Sequence, residues 1–386
     1  MERLYTDVWC SRGREVLKKL PEPVRSFANR FHPALPDEKV VDFKGWAVRR
    51  RIARWLRGTE SDKGRYRHYL NVGEGFARRV RSHLFKSEES SDGSVFFGYD
   101  TGSLEILEAL KESECITLLD QMDPGRVEKN IVLEEIERWP GWAESAPVLH
   151  SPYEDRRRRE WEAASAVIVN SEWSKEALVQ QGVPEEKTHV LPLAYEASAD
   201  GKQGREKPRD GVISDSPLHV LWLGTVGVRK GIQYLVDAAH RLSDAPIRFS
   251  VVGPIHITDQ AVASAPSSMT FEGPMPRDKV SEWYRQADVF VLPTLSDGFA
   301  ITQLEAMAHG LPVVTTPNCG RVVTDGKDGR VIPPRDVDAL AEALIYLEEN
   351  REEAAKMGRK ARKTSKQYTL DRVGTRLEEI VSNVET

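Results

Sequence analysis

Beyond residue 217 the apolar positions cluster in short stretches, at 219–223, 247–252, 269–271, 289–292 and 312–315. Such stretches are too brief for helices, and most of them do not alternate as a strand with one wet face would. Between them, at 232–242, 277–286, 301–309 and 337–348, apolar residues recur at three- and four-residue spacing, the period of an amphipathic helix. Strand and helix therefore alternate. Strands apolar on both faces predict a parallel sheet covered on both sides, the doubly wound α/β architecture, which binds its ligands outside the carboxyl ends of the strands. The first half is less regular, but 4–8, 95–99, 115–119, 166–170 and 189–191 read as strands with helices between them, a second α/β domain. A last helix is expected at 370–384.

The stretch 197–217 breaks this pattern, being polar, rich in Gly, Pro and charge, and free of apolar periodicity. It reads as a linker between an N-terminal domain, 1–196, and a C-terminal domain, 218–365, with 366–386 crossing back to the first. A chain of 386 residues with 40% hydrophobic and 30% charged residues and a mean hydropathy of -0.48 has enough apolar surface for two cores. No run approaches the ~20 apolar residues of a membrane span, and the first ten residues lack the apolar centre of a signal peptide, so a cytoplasmic protein is expected. Cys10, Cys115 and Cys319 are too few and too scattered for a disulfide framework or a zinc site.

Charge changes this picture in one place. The net charge is -5, yet between Lys44 and Lys86 there are thirteen Lys or Arg against Glu60, Asp62 and Glu74. Within that region Val48, Ile52, Trp55 and Leu56 fall at helical spacing beside Arg49, Arg50, Arg51, Arg54 and Arg57. An ordinary surface helix with its apolar stripe turned inward has this pattern. So does a helix lying on anionic lipid, which would put the protein at the inner face of the membrane. A nucleic-acid partner is not expected, because the rest of the chain is not basic.

The chemistry is concentrated where the strand at 289–292 gives way to a helix, in the run Ser296 to Val314, SDGFAITQLEAMAHGLPVV. Free amides at the start of that helix, at Gly298, Phe299, Ala300, Ile301 and Thr302, form a place to hold a diphosphate. Glu305 lies about one turn in, within reach of vicinal ribose hydroxyls, and Asp297 stands just ahead of the helix, facing a sugar. Alone, Asp297 would be read as a helix cap and Glu305 as a solvated acid. A second loop follows the strand at 219–223: Gly224, Thr225, Val226, Gly227, Val228, Arg229, Lys230, Gly231. Its glycine spacing is neither that of a dinucleotide fingerprint nor that of a P-loop. Arg229 and Lys230 are suited to neutralising a departing diphosphate.

The run from Asp297 to Val314 resembles the Glu-x7-Glu signature of retaining GT-B glycosyltransferases, and closely that of glycosyltransferase family 4, with Asp297 where the first Glu usually stands. Lys230 matches the family's Lys before Gly, while Thr225 occupies the place of its Arg, leaving open whether Arg229 takes over that task. The segments 159–171 and 326–335 look like a late N-domain strand and a late Gly-rich turn of the same family. The resemblance implies a GT-B fold, two Rossmann-like domains facing a cleft, with the donor held by the second. It implies transfer from a nucleoside-diphosphate sugar to a saccharide or lipid-linked acceptor, in polysaccharide or glycoconjugate synthesis, with retention and without cofactor or metal. Lys230, Arg229, Asp297 and Glu305 would do the chemistry. Gly224, Gly253 and the amides from Gly298 to Thr302 would line the donor site. Asp120 stands near the position of a family His, for a sugar or acceptor contact; a loop-stabilising role beside Pro124 is the alternative for the pair Asp120 and Asp123.

Asp336 and Asp338 imitate an Asp-x-Asp metal motif but directly precede a helix, which makes capping the expected role. Family members begin with a strand, a Gly-rich turn and a helix; here 4–8 resembles the second strand, so the first βα unit is expected to be missing, on the order of 20 to 30 residues. That shortfall keeps two other readings in view, a non-catalytic nucleotide-sugar-binding relative and a sugar-nucleotide epimerase of the same fold.

Overall fold

A computed structural model describes residues 2–19, 25–57, 62–86, 93–196 and 216–384. The expected linker at 197–217 lies outside the described residues except for Ser216 and Pro217. The chain forms two compact units, one of Met1–Thr117 with His150–Ala164 and the other of Leu118–Leu149 with Ser165–Thr386.

In the first unit β1 (Leu4–Thr6) pairs in parallel with β2 (Val40–Asp42), and β3 is Val95–Tyr99. Its helices include Lys44–Arg57, Asp62–Leu84, Leu104–Leu110 and Ser151–Ala163. Ala77, Val80, Ile106, Leu110 and Cys115 form its core. Glu160 ties two of these helices together, accepting hydrogen bonds from the amides of Ser103 and Leu104 at 3.0 and 2.9 Å, where a helix leaves its first N–H groups unpaired.

β4 (Ile116–Gln121) leads into the second unit, where it runs parallel to β5 (Ala166–Val169), and β5 to β6 (Thr188–Val190). The larger sheet of this unit comprises β7 (Leu218–Leu223), β8 (Ile247–Val252), β9 (Met269–Gly273), β10 (Val289–Leu292), β11 (Val313–Thr315) and β12 (Gly329–Val331). All six strands are parallel, in the order β12-β11-β10-β7-β8-β9. The doubly wound α/β reading thus holds, with β12 added within the stretch read as a Gly-rich turn. Strands β7, β8, β10 and β11 are almost wholly buried, and Ile232, Leu235, Val236 and Ala239 of helix Ile232–Arg241 close over them. His219, a polar residue inside an apolar strand, is accommodated because its ring nitrogens meet Gln286 O at 3.0 Å and Ser250 Oγ at 2.9 Å. The final helix, Leu370–Val384, belongs to this second unit, and just ahead of it Tyr368 O accepts the amide of Tyr195 at 2.8 Å.

The strand order decides where a ligand can go. From β7 the chain adds β8 and β9 on one side, then returns to place β10, β11 and β12 on the other. The loops leaving β7 and β10 diverge to opposite faces, and the crevice between them is the topological switch point.

Candidate functional site

Both sequence motifs emerge at that crevice. The loop after β7 contains Lys230 and the loop after β10 contains Asp297; the Lys230 ammonium donates to Asp297 Oδ2 at 2.6 Å. Arg229 Nη1 donates to Ser296 O at 2.8 Å and to Glu128 Oε2 at 3.2 Å, and lies 3.8 Å from Asp297 Oδ2. Burial works against the Asp297 carboxylate, but Lys230, Arg229 and the Ala300 amide prevail and hold its pKa below the ordinary value. Burial also opposes the charge on Arg229, which Glu128 and Asp297 nevertheless keep protonated more firmly than usual. For Glu128 burial wins: with Asp123 and Asp297 nearby its pKa is raised in spite of Arg229.

Two close approaches explain the glycines. Gly224 and Gly253 end the adjacent strands β7 and β8 with φ of 145° and 143°, and a Cβ on Gly253 would lie 1.9 Å from Gly224 O. No side chain fits there, so the floor of the site is bare backbone beside the Lys230 ammonium, 3.6 Å from where a Cβ of Gly224 would stand. At Gly298 a Cβ would meet Met122 O at 2.3 Å and the Asn170 amide at 2.9 Å. The neighbouring Thr225 is exposed.

Ala300 has a φ of 59°, a left-handed conformation costing an ordinary residue about 1–2 kcal/mol. The turn lets Asp297 accept the Ala300 amide, so this amide serves the carboxylate. Phe299 is buried, Ile301 flanks the start of helix Thr302–Ala308, and Thr302 opens it. Thr302 Oγ1 is buried with no hydrogen-bond partner among the described residues. Glu305 follows on the same helix. Its Oε2 accepts the Tyr284 hydroxyl at 2.8 Å, while its backbone carbonyl meets His309 Nδ1 at 2.7 Å. Tyr284 is only 1% exposed and stacks on His309, with ring centroids 5.0 Å apart. Burial, then the nearby Glu305 carboxylate, pushes the Tyr284 pKa well up, so the phenol keeps the proton it donates to Glu305.

Sequence reading missed Glu128, Tyr284 and Trp173. Trp173 Nε1 donates to Ser296 Oγ at 3.1 Å, and Ser296 Oγ donates to Glu128 Oε2 at 3.2 Å. Glu128 lies on helix Arg126–Arg138, which follows the carboxyl end of β4, the one signal that marked it. Asp120 lies on β4 opposite Ile168 of β5, and Asp123 Oδ1 accepts the Gly125 amide at 2.7 Å, the loop-stabilising role. Asp336 caps its helix, accepting the Ala339 amide at 2.9 Å. Among the described residues no three His, Cys, Asp or Glu side chains gather so as to hold a metal ion, and no helix is long and apolar enough to cross a membrane.

The family described as glycosyl transferases group 1 matches residues 217–350, the segment containing both loops. D-inositol 3-phosphate glycosyltransferase of Paenarthrobacter aurescens is 29% identical over 276 residues, 65% of this chain and 63% of that protein. Sulfoquinovosyl transferase of Arabidopsis thaliana is 31% identical over 159 residues, 40% of this chain but 31% of that protein. The chain thus spans under two thirds of the length of either relative. Among solved structures, sucrose-phosphate synthase of Thermosynechococcus elongatus superimposes with a TM-score of 0.61 at 20% identity, covering 82% of this chain and 78% of that one. HepE of Anabaena, solved in complex with UDP and glucose, gives 0.51 at 18% identity, covering 72% and 80%. Residues 217–350 therefore match the glycosyl transferases group 1 family, and the chain has the α/β fold of GT-B glycosyltransferases.

Proposed function

We propose that this protein transfers a sugar from a nucleoside-diphosphate sugar to an acceptor hydroxyl. The observation that carries the reading is the pairing of Lys230 with Asp297 at the β7/β10 switch point, over a floor of bare backbone at Gly224 and Gly253. When the glycosidic bond of the donor breaks, negative charge grows on the leaving diphosphate. Preorganised cations lower that barrier because they need no reorientation as the charge develops. Lys230 supplies a compact ammonium there. Arg229, held by Ser296 and Glu128, supplies a second cation whose position is fixed before the donor arrives. A bound diphosphate would take Lys230 from Asp297, releasing that carboxylate toward the sugar. Glu305, steadied by Tyr284, would accept from the ribose hydroxyls.

Retention of configuration, independence from a metal or cofactor, and a saccharide or lipid-linked acceptor rest on the family resemblance. The relatives' names and the UDP and glucose bound to HepE support a nucleotide-sugar donor. Thermal stabilisation by a panel of UDP-, GDP- and ADP-sugars tests the donor; a ligand at a hundred times its Kd adds about 2.7 kcal/mol. Lys230→Ala and Glu305→Gln should each abolish most of that gain. Unchanged donor affinity in Glu305→Gln overturns the assignment. The anomer of the product, read by NMR, tests retention. Binding without turnover would favour the non-catalytic relative, and isomerised free donor the epimerase.

A further inference from the structure

Helix Lys44–Arg57 divides its apolar residues between two faces. Ala47 is buried with Val8 and Phe27, Trp46 and Val48 pack against that cluster, and Arg50 and Arg51 lie on the same inner side. The Arg50 guanidinium lies 4.7 Å from the centre of the Trp46 ring, with Arg79 4.6 Å from the same ring, and Arg51 lies 4.7 Å from the Phe27 ring. Planar guanidinium groups on aromatic faces let these arginines line the inner side while their stems cover apolar surface. Two large apolar residues of the second half of the helix are left outside: Ile52 is 48% exposed and Trp55 68%. Their three-residue spacing puts them on one face of the helix. Exposed Lys44 and Arg49 flank that face on either side. The stripe expected at Val48, Ile52 and Trp55 is thus split, with Val48 packed inward and Ile52 and Trp55 turned outward. The side chains of Leu56 and Arg57 lie outside the described ones.

A face that shows Trp and Ile to its surroundings, within a region carrying thirteen basic residues against three acidic ones, calls for an occupant both apolar and anionic. Trp seats its indole at the boundary between headgroups and acyl chains, and Lys or Arg beside it meets phosphate. We propose that the outer face of helix Lys44–Arg57 docks on an anionic lipid bilayer, with Trp55 and Ile52 entering the headgroup boundary and Lys44 and Arg49 contacting lipid phosphates. This docking is independent of the donor chemistry proposed above.

The test is cosedimentation of the full chain with vesicles of equal parts phosphatidylglycerol and phosphatidylcholine, against vesicles of phosphatidylcholine alone, at low and high salt. Binding should require the anionic lipid and weaken with salt. Arg49→Glu with Arg54→Glu, both exposed positions, should reduce partitioning about tenfold or more. Ile52→Ser with Trp55→Ser should abolish it with no change in melting temperature. Because Cys10, Cys115 and Cys319 are all buried, Trp55→Cys can be labelled selectively with an environment-sensitive fluorophore, whose emission should shift to the blue on the anionic vesicles. Equal binding to both vesicle types, or unaltered binding by both double variants, overturns the proposal. So does a dimer that Ile52→Ser with Trp55→Ser dissociates while the wild type ignores vesicles.

Discussion

Replacing Tyr284 by Phe removes one hydroxyl from a site that is otherwise closed. The Tyr284 ring keeps its stack on His309 and its packing on Phe290, at centroid distances of 5.0 and 6.0 Å, so the variant should retain the fold. What is lost is the 2.8 Å donation to Glu305 Oε2. A hydrogen bond to a charged group contributes about 1.5–3 kcal/mol, which for a chain of this size should lower Tm by about 2–4 °C. The larger consequence lies in ligand binding. A carboxylate no longer held must be ordered when the donor arrives, at about 0.5–1.5 kcal/mol, so nucleotide-sugar affinity should weaken about three- to tenfold. Calorimetric titration of the best donor against wild type, Tyr284→Phe, Glu305→Gln and the double variant measures this directly. If Tyr284 acts through Glu305, the second substitution should cost almost nothing once the first is made, giving a coupling of about 1 kcal/mol. A dideoxyribose analogue, lacking the hydroxyls that Glu305 would accept from, should bind wild type and Tyr284→Phe alike. Additive losses in the double variant, or equal weakening of the dideoxy analogue, would refute the positioning argument.

Asp297→Asn removes the carboxylate that competes for Lys230. It should raise affinity for a free nucleoside diphosphate about tenfold while lowering stability by about 1–3 kcal/mol, since two half-buried cations lose a partner; weaker diphosphate binding in titration would contradict this. Because its folded pKa is depressed, Asp297 contributes stability that is present above the ordinary carboxylate pKa and lost as pH falls through the lower folded value. The same variant should therefore flatten the acid limb of Tm against pH. Gly298→Ala, whose Cβ would lie 2.3 Å from Met122 O, should cost about 1–3 kcal/mol by denaturant titration, whereas Gly227→Ala, with nothing within 4 Å, should be neutral within the scatter of surface substitutions. Equal costs would show that the close approach at Gly298 does not govern the loop.

The larger sheet was legible because five of its six strands are short stretches rich in apolar residues, β10 being apolar throughout, and its helices keep a clear 3.6-residue period. β12 escaped because Gly329–Val331 has only one apolar residue and its burial comes from β11 beside it. The Lys230 and Asp297 loops were legible as charged, Gly-containing turns at strand ends, but their direct pairing was not, since it depends on the order in which β7 and β10 sit in the sheet. Glu128 was hidden for the same reason, lying 101 residues from Arg229. Tyr284 had a faint signal, a phenol at a core-facing helical position, whose hydroxyl must find a partner. Helix Lys44–Arg57 shows a firmer limit. Periodicity gives the stripe but not its direction, and here Arg50 and Arg51 stack on Trp46 and Phe27 while Val48 packs inward and Ile52 and Trp55 are left outside.

The switch point also ties recognition to assembly. Lys230 and Asp297 lie 67 positions apart, and everything between them must fold into β8, β9 and β10 with their helices before the two loops can meet. No isolated strand–helix pair from this region brings the two loops together. On the proposed function, a nascent chain ending before β10 would not bind a nucleotide sugar, and that binding would report the moment the sheet closes.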